Sequence, residues 1–145
     1  MKKIAILIIS LMMFFVGAVS AENDISVMVN GEKILFDVSP QIIDGRTMVP
    51  IRAIFEVMGA EVEWDDATKT AICTKDSLTV RMTVGSTIEK INNAEVTMDI
   101  APVVINGRTL APARYVAEAF GYNVVWNGTQ KTVIITSEDF DNSQH

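Results

Sequence analysis

The chain has 145 residues, 49% of them hydrophobic, and a formal net charge of -6 at pH 7 from 12 Lys and Arg against 18 Asp and Glu. An acidic chain without a Lys/Arg cluster is a poor partner for nucleic acid or an anionic membrane, since both attract basic surfaces. One His and one Cys exclude an intramolecular disulfide and leave too few donors for a copper site built from several imidazoles.

Residues 1–21 read as a secretory signal peptide: Lys2-Lys3, an apolar run from Ile4 to Val19, and the small residues Val19-Ser20-Ala21 before Glu22. The apolar run is shorter than the ~20 residues that span a bilayer, so cleavage is expected rather than retention as an anchor. Cleavage would leave 124 residues and a formal charge of -8, enough chain for one domain or for two small units sharing a core.

From Ser26 onward the chain contains itself twice. Ser26 to Thr74 returns at Ile88 to Thr136, offset by 62 residues without a gap. Val27-Met28-Val29, Asn30-Gly31 and Glu32 to Val38 predict a hairpin with a type I′ turn, with Asn92-Asn93 at the turn in the second half. Pro40 and Pro102 end its second strand, since proline cannot donate to a ladder. Asp44-Gly45-Arg46-Thr47 reads as a turn leading into a helix. In that helix Ile51, Ile54, Phe55 and Met58 form one apolar stripe, repeated as Ala113, Val116, Ala117 and Phe120. Pro50 and Pro112 fit the first helical turn, and Gly59 and Gly121 fit the C-terminal cap.

Glu61 to Trp64, a polar turn over 65–69 and Thr70 to Thr74 predict a second hairpin. Leu78 to Val84 alternates strictly, as a half-buried strand does, and has no counterpart in the second half. Gly85-Ser86-Thr87 is a short linker, and residues 137–145 are expected to be a disordered acidic tail. Together these elements predict an α+β fold of two tandem repeats, 22–86 and 87–136. Each would be a β-hairpin, a short helix and further antiparallel strands, with the helix packed on the sheet.

Asp44-Gly45-Arg46-Thr47-x-x-Pro50-x-Arg52 returns as Asn106-Gly107-Arg108-Thr109-x-x-Pro112-x-Arg114. Followed by the apolar helix, Gly59 or Gly121, Val62-x-Trp64 or Val124-x-Trp126, and Lys69-Thr70 or Lys131-Thr132, this pattern resembles the copper amine oxidase N-terminal-like domain, also called the stalk domain. The resemblance covers nearly all of the chain after the leader. It implies a protein secreted by Gram-positive-type bacteria and an accessory role beside cell-wall hydrolases or other surface modules. It does not imply copper or oxidase chemistry, which in the oxidases belong to a separate catalytic domain. Asn106 in place of Asp44, and Asn127-Gly128 in place of Asp65-Asp66, are departures that suit turns.

No cofactor and no catalytic residue is assigned, because the one His is the last residue of a polar tail and no Ser/His/Asp set can be built from it. Trp64 shares a strand face with Val62, and Trp126 with Val124, which is the face expected to meet the helix. Core packing is therefore expected, with a cost of roughly 3–5 kcal/mol for truncation of either ring; stacking on a sugar face is the alternative. Arg46 and Arg108 are expected to fix their turns through carbonyl or carboxylate hydrogen bonds, with an anion contact as the alternative. Glu61, Glu63, Asp65 and Asp66 become Asn123, Val125, Asn127 and Gly128 in the second half. They read as a solvated turn and strand face rather than a catalytic pair. Cys73, replaced by Ile135, reads as a buried strand thiol.

The expectation is a secreted, non-enzymatic module, structural or binding, at the bacterial cell surface or in the wall. Its partner would be cell-wall polysaccharide or a surface protein, without membrane contact once the leader is gone. A dedicated polysaccharide- or peptidoglycan-binding module is one alternative, and a hydrolase using Glu61, Glu63 or Asp65 is another. In the non-enzymatic case, single amide substitutions of those carboxylates leave any measured hydrolysis unchanged.

Overall fold

The computed structural model describes residues 24–140; residues 1–23, with the expected signal peptide, and residues 141–145, including His145, lie outside the described residues. The first half supplies β1 (Ser26–Val29), β2 (Glu32–Lys33), β3 (Gln41–Ile43), β4 (Arg46–Pro50), α1 (Ile51–Val57), β5 (Glu61–Asp65), β6 (Thr70–Lys75) and β7 (Leu78–Thr83). The second supplies β8 (Ile88–Ile91), β9 (Ala94–Thr97), β10 (Val103–Ile105), β11 (Arg108–Pro112), α2 (Ala113–Glu118), β12 (Asn123–Asn127) and β13 (Thr132–Thr136).

The expected α+β fold with a helix laid on a sheet is not what forms. Strands take 49% of the described residues and helices 11%, in three sheets, so the fold is mainly β. Two local causes account for the difference. Asp44 and Gly45 adopt φ of 50° and 77°, and Asn106 and Gly107 φ of 50° and 79°. Positive φ at both central residues is the type I′ geometry whose twist matches paired strands, so the expected turn into a helix is a β-hairpin instead. The segment after each turn stays extended up to Pro50 and Pro112, because a residue before proline is biased away from helical angles. Pro50 itself has φ -60° and ψ 122°, closing a strand rather than opening the first helical turn.

The helices are then cut short. Gly59 N–H donates to the Glu56 carbonyl and Ala60 N–H to the Phe55 carbonyl, and Gly121 and Tyr122 repeat this on Glu118 and Ala117. This paired arrangement ends α1 after seven residues and α2 after six.

β4 and β11 form the centre of one sheet, ordered β10-β11-β4-β3. They are antiparallel with Met48 opposite Pro112, Val49 opposite Ala111 and Pro50 opposite Leu110. Val49 thus faces its own counterpart at the 62-residue offset, Ala111, and the pairs on either side of it are exchanged, as a local twofold between Val49 and Ala111 requires. The other two sheets exchange strands between the halves. β1 pairs in parallel with β13, giving β12-β13-β1-β2. The corresponding sheet is β5-β6-β7-β8-β9, in which β7 lies between β6 and β8 and is antiparallel to both. Leu78–Thr83 is a strand as its alternation predicts, with Val80 and Met82 buried and Arg81 exposed.

The core is one cluster drawn from both halves, including Val27, Val49, Phe55, Met82, Val116 and Ile135. Phe55 and Phe120 meet edge to face at 5.3 Å across it. Cys73 is 1% exposed, and burial pushes its thiol up to about 12, against the smaller opposing pull of Arg52. A thiolate is the reacting form, so a thiol reagent at pH 8 should label the folded protein slowly and the denatured protein fast. Equal rates in both states would contradict the burial. Ser137, assigned by sequence to the polar tail, donates from its N–H to Asn30 Oδ1 at 2.9 Å.

Candidate functional site

Two clefts flank the β4–β11 spine; every residue lining one has its counterpart at the 62-residue offset in the other, which adds Glu56 and Glu63. In one, of about 410 Å³, Trp126, Pro112 and Ala113 from the second half face Ile42, Gly45 and Arg46 from the first. In the other, of about 620 Å³, Trp64, Pro50 and Ile51 from the first half face Val104, Gly107 and Arg108 from the second. Each cleft therefore takes its ring and helix start from one half and its Gly-Arg turn from the other.

The tryptophans are not core residues. Trp64 is 39% exposed and Trp126 43% exposed. The face was correctly inferred, since Val62 and Val124 do pack against the core. Each valine packs partly on the core and partly lines its cleft, and the ring two residues further along lines the same cleft with more of its surface exposed. Trp64 Nε1 donates to Asp66 Oδ1 at 3.4 Å, which orients one ring. Truncating either ring should now cost only about 1–2 kcal/mol, less than emptying a core aromatic site. Chemical denaturation of Trp64→Ala and Trp126→Ala checks this, and a loss above 3 kcal/mol would restore the core assignment.

The arginines bridge the halves rather than only fixing their own turns. Arg46 Nε donates to Asp99 Oδ2 at 3.0 Å, and Arg108 donates through an Nη to Asp37 Oδ2 at 2.5 Å. All four side chains are about half exposed, so solvent screens the pairs and they contribute little to stability. The Arg108 hydrogen bond holds the Asp37 carboxyl below the usual carboxylate range. What the pairs fix is position: a guanidinium–carboxylate pair lines each cleft together with an indole ring. Asp37 and Asp99 escaped the sequence reading, although they too lie 62 residues apart.

The carboxylates considered for hydrolysis do not assemble. Asp65 Oδ1 accepts from the N–H groups of Ala67 and Thr68, and Asp66 pairs with Lys69 at 2.9 Å. The Lys69 hydrogen bond, then that of Trp64, holds the Asp66 carboxyl low, the opposite of what a general acid needs. Glu63 lies on the rim of the Trp64 cleft, and its counterpart Val125 is apolar.

One residue was missed altogether. Glu89 is 1% exposed, its Oε2 has no hydrogen-bond partner, and its counterpart is the core residue Val27. Burial first, and the charge of Glu118 second, push its carboxyl up to about 7. An acid at a position that is Val in the other half was the available signal.

The sequence matches the family described as copper amine oxidase N-terminal domain over residues 28–135, in one stretch across both halves. The chain belongs to the copper amine oxidase N-terminal domain family. It is also 29% identical over 123 residues to a protein named "Protease inhibitor" from Brevibacillus choshinensis, covering 82% of this chain and 36% of that protein. The chain thus spans about a third of that relative's length. The family description names copper, yet the donors here do not fit it. Among the described residues no group of three or more His, Cys, Asp and Glu is placed to hold a metal. The chain's single imidazole, His145, lies outside them.

Proposed function

We propose that this member of the copper amine oxidase N-terminal domain family is a secreted, non-enzymatic binding module of the bacterial surface, built from two tandem copies of one unit, and that it binds wall polysaccharide in the two tryptophan clefts. The observation that carries the reading is an exposed indole beside a fixed Arg–Asp pair in each cleft. A pyranose ring has an apolar face that stacks on an indole and hydroxyls that exchange hydrogen bonds with a guanidinium and a carboxylate. The clefts are largely pre-formed, since in each an Arg–Asp pair joins a residue of one half to a residue of the other.

The test is a pull-down of residues 22–145 on insoluble peptidoglycan and wall polysaccharide, beside a Trp64→Ala/Trp126→Ala double variant shown to be folded. Saturable binding lost in the double variant supports the reading; binding unaffected by it overturns the assignment to the clefts. A second reading rests on the Brevibacillus relative's name: the same surface could engage a protease. Inhibition of secreted bacterial proteases by the purified chain, without saccharide binding, would select it.

A further inference from the structure

We propose that the molecule is bivalent: it holds two saccharide segments at once, running in opposite senses, and so ties glycan chains together. This rests on the carbohydrate reading above and adds a stoichiometry and a geometry to it. The two clefts are equivalent in their essential groups, Trp64 with Arg108 and Asp37, and Trp126 with Arg46 and Asp99. Each needs residues from both halves, so folding makes both or neither.

The twofold between Val49 and Ala111 relates one cleft to the other. A sugar chain has a direction, from its non-reducing to its reducing end. The twofold of an antiparallel pair stands perpendicular to the sheet and reverses every direction lying in it, so segments seated along the sheet run in opposite senses in the two clefts, and one straight chain cannot satisfy both. Two segments can, and holding both raises the effective concentration of the second once the first is bound. The sites are equivalent but unequal. Tyr115, whose hydroxyl donates to Asp99 Oδ1 at 3.4 Å, stands in the Trp126 cleft where the Trp64 cleft has Ala53. Glu63 stands in the Trp64 cleft where the counterpart is Val125. Two dissociation constants are expected rather than one.

The experiment is isothermal titration of the folded chain with a soluble tetramer of β-1,4-linked N-acetylglucosamine and with soluble wall polysaccharide. Alongside it runs light scattering in the presence of the polymer. Wild type should take two equivalents of the tetramer and cross-link the polymer into larger scatterers. Trp64→Ala and Trp126→Ala should each take one equivalent and give no cross-linking. One equivalent in the wild type, or cross-linking that survives in either single variant, overturns bivalency while leaving carbohydrate binding in place. No binding of either saccharide overturns both.

Discussion

Replacing Glu89 by Gln should stabilise the protein by roughly 3 kcal/mol at pH 8.5 and change its stability little at pH 4. The carboxyl is pushed from its ordinary value of 4.5 up to about 7 in the folded chain. Below 4.5 both folded and unfolded states hold the proton, and Glu89 is then a neutral group in the core. As pH rises from 4.5 towards 7 the unfolded state gives up the proton while the folded state must keep it. Stability therefore falls across that window and levels off above it, by about 1.4 kcal/mol per unit of pKa difference. Gln cannot ionise, so its stability curve stays flat where the parent's falls. At pH 8.5 the gap corresponds to a melting temperature higher by roughly 10 °C for a domain of this size. Thermal melts of both proteins at pH 4, 6 and 8.5 check the prediction; parallel curves would mean that Glu89 finds a partner or reaches water.

Phe55→Ala should cost about 3–5 kcal/mol, the range for removing a fully buried aromatic side chain. Phe55 is 0% exposed and meets Phe120 edge to face across the boundary between the halves. The mode of unfolding is as informative as the size of the effect. With one core cluster, and with β1 paired to β13 and β4 to β11, the loss should lower a single cooperative transition for both halves together. Urea unfolding followed by indole fluorescence and by far-ultraviolet circular dichroism gives two views of that transition. Separate midpoints, one half melting early, would show two cores in place of one.

Much of the local structure was legible because it depends on neighbours in sequence. The alternation of Leu78–Thr83, the glycine caps at Gly59 and Gly121, and the burial of Cys73 all follow from short-range pattern. The fold class was misjudged where two local signals competed. Asp44-Gly45 is a strong hairpin dipeptide, but the apolar helical stripe that follows it drew the turn into the helix. The strand exchange is not local at all. Nothing around Ser26 states that its strand will pair with one beginning at Thr132, more than a hundred residues away. The clefts were half legible for the same reason: Trp64, Trp126, Arg46 and Arg108 stood out by repetition. That the arginine of one half closes on the ring of the other follows only from the β4–β11 pairing. Glu89 is legible only as a mismatch, an acid where the other half has the core residue Val27.

The chain contains two tryptophans, one in each cleft, so its indole N–H groups report on the two proposed sites and nothing else. A proton–nitrogen NMR titration of the labelled protein with soluble wall polysaccharide is therefore the most direct measurement. Saturable shifts of both indole signals, at different concentrations because Glu63 and Tyr115 distinguish the clefts, are the expected result. Both signals staying in place while the polysaccharide binds elsewhere, or does not bind, would contradict the clefts as the ligand site.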